Sequence, residues 1–192
     1  MASAASNGHL EVVQYLYTAA LTLAGRKRKR GESFCYPCKL DMDDVVTKAA
    51  EKGHRNVVQW VCTHSTVNST KDAMVSAAGN GHFPVIQWLH ENRPRENFRS
   101  EMLDAAARSG DLSLLKWLIR HGLGEGYSTL AVNNAARGGR VHVLRWLLDN
   151  ESLDQNNECS VPMEAMSLAL IGGHFHALLF VYYEFKTGAI NP

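Results

Sequence analysis

At 192 residues, with 45% hydrophobic and 20% charged side chains, the chain has the make-up of an ordered protein and not of a disordered one. A formal net charge of +1 gives it no overall attraction to nucleic acid, a membrane surface or an acidic substrate. The strongest apolar run, Ala177–Tyr183, covers seven residues against the roughly 20 a bilayer-crossing helix needs, so no membrane partner is expected.

Read in chain order, the sequence repeats itself six times. Copy 1, residues 1–24, holds Ala4-Ala-Ser-Asn-Gly-His-Leu-Glu-Val-Val-Gln-Tyr-Leu16. An insertion over 25–40 follows, carrying the basic run Arg26-Lys-Arg-Lys-Arg30 and the pair Cys35-Tyr-Pro-Cys38. Copy 2 (41–68) repeats the pattern from Ala49 to Val61, copy 3 (69–97) from Ala77 to Leu89, and copy 4 (98–126) from Ala106 to Leu118. Copy 5 (127–157) runs from Ala135 to Leu147, and the weaker copy 6 (158–192) from Ala169 to Val181. The marker glycines Gly8, Gly53, Gly81, Gly110, Gly139 and Gly173 are 45, 28, 29, 29 and 34 residues apart. The whole chain reads as a single repeat array.

Each copy predicts two short helices around its glycine. The alanine pair lies on the first helix, where small side chains let backbones approach. The glycine stops that helix by taking a left-handed conformation. The second helix then shows apolar residues at helical spacing, as in Leu112, Leu115, Trp117, Leu118 and Ile119, and closes at Gly122. Helices this short hold only by stacking on neighbours, and no strand pattern occurs, so the expected class is an all-α solenoid. Copy 1 lacks most of its opening helix. This predicts an end covered by further repeats or by another chain, with the apolar stretch Tyr17–Leu23 folding back as a makeshift cap.

The motif Ala-Ala-x-x-Gly-His-x-x-Val-Val of Ala4–Val13 resembles the centre of the ankyrin repeat, and the likeness covers nearly the whole chain. The family's Thr-Pro-Leu-His helix opening is missing; only its apolar third position survives, in Val46, Met74, Leu103 and Val132. The lost residues fall between helix pairs, so the β-hairpin fingers of the family are expected to be reduced or absent. The short period and the tryptophans resemble an ankyrin subtype expanded in filamentous plant pathogens. The resemblance implies a protein-binding scaffold and no enzyme or cofactor, with a place of action that includes the inside of a host cell after release from a trimmed precursor. Matching the pattern position by position puts recognition on Lys48, Lys52, Ser76, Asn80, Ala105, Ser109, Asn134 and Arg137 of the first helices. A homo-oligomer is not required.

Other residues are read from their chemistry. Trp60, Trp88, Trp117 and Trp146 share one repeat position with Tyr15 and Phe180, which predicts a ladder of core rings between repeats. His9, His54, His82 and His174 follow the marker glycines; stacked helices lie roughly 8–10 Å apart, too far to share an ion, so they are expected to bond nearby backbone. Cys35, Cys38, Cys62 and His64 form a weak zinc candidate, because no second Cys-x-x-Cys accompanies the first; reduced thiols are the leading reading. Lys27, Arg28, Lys29 and Arg30, with Arg26, make a solvated basic peptide of the kind an import receptor binds, so the expected location is cytoplasmic, nuclear or both. A zinc- or nucleic-acid-binding module centred on 25–40 is the alternative function, and one isolated patch makes nucleic acid the minor part of it.

Overall fold

The structure is a computed structural model that describes residues 1–25, 41–92, 100–123, 129–149 and 161–188. Among these residues every regular element is a helix, in twelve segments: α1 Ala2–Ser6, α2 Leu10–Gly25, α3 Met42–Glu51, α4 Arg55–His64, α5 Lys71–Gly79, α6 Phe83–Asn92, α7 Ser100–Ser109, α8 Leu112–Arg120, α9 Thr129–Arg137, α10 Val141–Asp149, α11 Val161–Ile171 and α12 Phe175–Gly188. Each sequence copy supplies one helix pair. The connection over 65–70, one of the places a finger would occupy, contains no strand. The fold is an all-α, ankyrin-type solenoid class.

All six marker glycines have positive φ, between +68° and +85°, as the turn between paired helices requires. In copies 1, 2 and 5 the same three hydrogen bonds close the turn. In copy 5, Gly139 N–H donates to the Ala136 carbonyl at 3.0 Å, Arg140 N–H to Ala135 at 2.9 Å and Val141 N–H to Gly139 at 3.1 Å. They satisfy carbonyls that the helix end would otherwise leave open.

Contacts divide the chain into two compact units, Met1–Ala77 with Pro84–Glu96 and Ala78–Phe83 with Asn97–Pro192. In the first unit α1 packs on α3, and α3 on α4. Its core takes Val45, Val46, Ala49 and Ala50 from α3 and Val57, Val58 and Val61 from α4. Asp41 caps α3, its carboxylate accepting from Asp44 N–H at 3.3 Å. In the second unit α7 packs on α9, α9 on α11, and α11 on α12. The buried pattern recurs there in register: Met102, Leu103, Ala106 and Ala107, then Ala131, Val132, Ala135 and Ala136. On the second helices Leu114, Leu115 and Leu118 are matched by Val143, Leu144 and Leu147.

Two expectations change. Tyr17–Leu23 does not fold back; α2 continues without a break to Gly25. The extension instead reaches copy 2, where the Tyr17 hydroxyl donates to the His64 carbonyl at 2.7 Å, near the open C-terminal end of α4. The tryptophans are not core residues either. All four are half-buried. A ring of that size covers the rim of a repeat junction, and the Val and Leu positions fill its centre.

Candidate functional site

The surface the repeat leaves open for recognition is the solvent side of the first helices, towards their C-terminal ends. Lys48, Lys52, Asn80 and Arg137 are exposed there, whereas Ser76, Ala105, Ser109 and Asn134 are half-buried.

In the first unit the two lysines are brought together by Glu51. Lys48 Nζ lies 3.1 Å and Lys52 Nζ 3.5 Å from its carboxylate oxygens. The hydrogen bond from Lys48 and the positive charge of both lysines hold the Glu51 carboxyl below its ordinary range. Lys48 and Glu51 line a cleft of about 330 Å³ with Ala2, Ser3, Ser6 and Asn7 of α1. Its walls are short polar side chains and one ion pair.

In the second unit the half-buried members serve the fold. Asn134 Nδ2 donates to the Asp104 carbonyl at 3.0 Å, tying α9 to α7. The Ser109 hydroxyl donates to the Ala106 carbonyl at 2.8 Å and accepts from Asp111 N–H at 3.2 Å. Beside them sits a polar pair the sequence pattern did not reveal. Asn133 is buried and donates through Nδ2 to Glu164 at 2.8 Å, leaving its own side-chain oxygen without a hydrogen-bond donor. Arg108 was also missed: it is exposed, and its guanidinium lies where a side chain on Gly79 would go. Its helix-end position, one residue from Ser109, was the available clue.

Of the histidines that follow the marker glycines, His54 bonds backbone, and in the preceding repeat. His54 Nε2 donates to the Ser6 carbonyl at 3.1 Å, and its ring occupies the space above Gly8. Arg140 covers Gly110 and His174 covers Gly139 in the same way. Copy 4 is different because it carries Asp111 at this position. That carboxylate turns inward to cap α8, accepting from Ser113 N–H at 2.9 Å and Leu114 N–H at 3.1 Å.

Of the zinc candidates, Cys35 and Cys38 lie outside the described residues, as does the basic run over 26–30. Cys62 is half-buried. His64 is stacked on Trp60 with ring centroids 4.8 Å apart, and its Nδ1 lies 3.0 Å from the Trp60 carbonyl. Among the described residues no cluster of three metal-ligating side chains occurs. No helix there is long and apolar enough to cross a membrane.

A family model described as ankyrin repeats in many copies matches residues 74–119 and, overlapping it, 103–148. These are the helix pairs of copies 3 to 5, with the turn and core pattern just described. Residues 74–148 of the chain are ankyrin repeats. No curated protein matches it closely enough to count as a relative. Ankyrin repeats mediate protein–protein interaction and their proteins are typically scaffolds without catalysis, so a protein partner follows from the family.

Proposed function

We propose that this ankyrin-repeat protein captures a protein partner on the exposed ends of its first helices, and that the partner contributes acidic side chains. One observation carries the reading. Buried positions keep the same small or aliphatic character from copy to copy, whereas the helix-end positions facing water change identity and gather positive charge in Lys48, Lys52, Arg108 and Arg137. Cations at helix C-termini also complement the helix dipole, which lets the surface carry charge at no cost to the fold. In the first unit an acidic segment would compete with Glu51 for Lys48 and Lys52; in the second, Arg108 and Arg137 would meet such a segment directly.

Affinity capture with mass spectrometry tests this, with the wild-type chain beside one carrying Lys52→Glu, Asn80→Ala and Arg137→Glu. The expected result is partners held by the wild type and lost by the variant at unchanged melting temperature. An identical partner set would place recognition elsewhere.

The basic run Arg26–Arg30 supports nuclear import of the bound pair. Replacing it with Ser and Gly is expected to abolish nuclear accumulation of a tagged chain and to leave the melting temperature alone. An unchanged nuclear share would end that reading. The likeness to the pathogen-expanded subtype supports a host cell as the place of action.

A further inference from the structure

Within the second unit, copies 4 and 5 share an open basic edge that has neighbouring turns on both sides. Arg108 and Arg137 stand two residues before the turn glycines Gly110 and Gly139, so they hold one repeat position in successive copies, and both are exposed. The turns stack closely. The Arg108 carbonyl lies 3.1 Å from where a Cβ on Gly138 would stand, and the Arg137 carbonyl 2.6 Å from where one on Gly172 would. On the copy 3 side, Ser109 packs against Gly81 and the Arg108 guanidinium occupies the space above Gly79. Both arginines therefore stay open in the interior of the stack, with a turn packed on either side.

A third cation joins them. Arg140 is exposed, and its stem crosses the turn of copy 4, with Nε 2.7 Å from the place of a Cβ on Gly110. The nearby carboxylates are turned away. Asp111 points inward to cap α8, and Asp104 is buried. Glu101 and Glu164 belong to the first turns of α7 and α11, at the far ends of those helices. Among the described residues no carboxylate is ion-paired with any of the three arginines.

We propose, resting on the acidic-partner reading above, that this edge binds an extended segment whose carboxylates stand three residues apart. Packed helices lie roughly 8–10 Å apart, which sets the step from Arg108 to Arg137. A chain in the polyproline II conformation has three residues per turn and rises about 3.1 Å per residue, so every third side chain leaves the same side, about 9 Å from the last. The two steps match. A strand-like segment matches less well, because its side chains alternate with a period of two. Each guanidinium fork can hold a carboxylate through two hydrogen bonds. A nucleic-acid strand would in addition need open rings to stack on, and Trp117 and Trp146 are half-buried on the second helices.

NMR titration of the whole chain with two peptides of one composition tests the register. The first is Glu-Pro-Pro-Glu-Pro-Pro-Glu; the second has its three glutamates adjacent and the four prolines after them. The spaced peptide is expected to shift the Nε–Hε signals of Arg108 and Arg137 and to bind about threefold to fivefold tighter than the second, the margin of about one exposed ion pair. Arg137→Gln should erase that margin, and Lys116→Gln, exposed on α8, should leave it intact. If Arg137→Gln melts early, Arg108→Gln runs the same comparison. Equal binding of the two peptides, or a margin lost equally in Lys116→Gln, overturns the register while the acidic-partner reading stands. Binding of neither peptide at the highest soluble concentration also overturns it, and the capture experiment above then decides the broader reading by itself. A single-stranded DNA of matching length that binds more tightly than the spaced peptide, with the same dependence on Arg137, overturns the choice of a peptide.

Discussion

Copies 4 and 6 use the same backbone unit for different surfaces. In copy 4, α7 buries Met102, Leu103, Ala106 and Ala107 and gives water Glu101 and Arg108, while α8 buries Leu114, Leu115 and Leu118 and gives water Ser113, Lys116 and Arg120. Among the described residues of copy 6, Ala165, Ala169, Ala177 and Val181 are buried, and Met163, Leu170, Ile171, Phe175 and Leu179 stand in water. The turn glycine, its positive φ and the helix pair are common to both. What differs is where apolar area lies relative to the neighbouring repeat. A repeat is therefore two separate specifications, one for the hairpin and one for its faces.

The largest expected contrast comes from removing apolar side chains in the two copies. Leu115→Ala, in a fully buried position, is expected to cost about 3 kcal/mol in denaturant unfolding. Ile171→Ala is 79% exposed in the parent and is expected to change stability by less than about 0.5 kcal/mol. Equal costs would mean that the outer surface of copy 6 is packed in solution.

Next in size is Trp117→Ala. The indole is half-buried, with His121 stacked on it at 4.2 Å and Phe83 edge-on at 5.3 Å. A loss of about 2 kcal/mol is expected, below the roughly 3–5 of a fully buried aromatic. A melting temperature equal to the parent's would show that the ring contributes nothing to the junction.

How much of this was legible without coordinates follows from what a period can encode. The alanine pair, the glycine and the aliphatic triplet repeat because each is constrained by its own helix pair, and those constraints fixed the helices and turns in advance. The depth of the tryptophans did not show. Periodicity says which side of a helix a ring leaves from, not how much of it the next repeat covers. The run Tyr17–Leu23 looked like a separate cap because its length breaks the period, although nothing in it stops a helix. Gly25 is the first residue after Gly8 that can. Of the candidate recognition residues, Lys48, Lys52, Asn80 and Arg137 lie exposed. Asn134 and Ser109 look equally polar in sequence, and only the Asp104 and Ala106 carbonyls reveal what they bond.

The glycines give a smaller, cleaner contrast. Alanine at Gly139 meets the His174 ring, whose nearest atom lies 2.5 Å from the new Cβ, whereas alanine at Gly173 meets nothing within 4 Å. Both substitutions bear the left-handed penalty of about 1–2 kcal/mol. Gly139→Ala should exceed Gly173→Ala by about 1 kcal/mol, because an imidazole fixed near its backbone cannot swing away as a long side chain would. Equal losses in thermal unfolding would show that the histidine does not press on the turn.

The smallest expected effect concerns the position that is Glu51 in copy 2, Arg108 in copy 4 and Ile171 in copy 6. If polar residues there chiefly keep the face wet, their charge should add little to stability. Glu51 allows a test by pH alone. Its folded-state carboxyl is held down by the Lys48 hydrogen bond and by the charges of Lys48 and Lys52. An unfolded glutamate titrates near about 4.3. A carboxyl depressed on folding stabilises above the unfolded value, and that contribution fades as pH falls through the folded value. Unfolding midpoints of the parent and of Glu51→Gln should therefore differ slightly at neutral pH and converge as pH drops below the ordinary carboxylate range. Added salt should shrink the neutral-pH gap, because all three groups are open to solvent and screened. A gap that persists at low pH would mean Glu51 acts through packing, and the outward position would then belong to the hairpin's own specification instead of to its face.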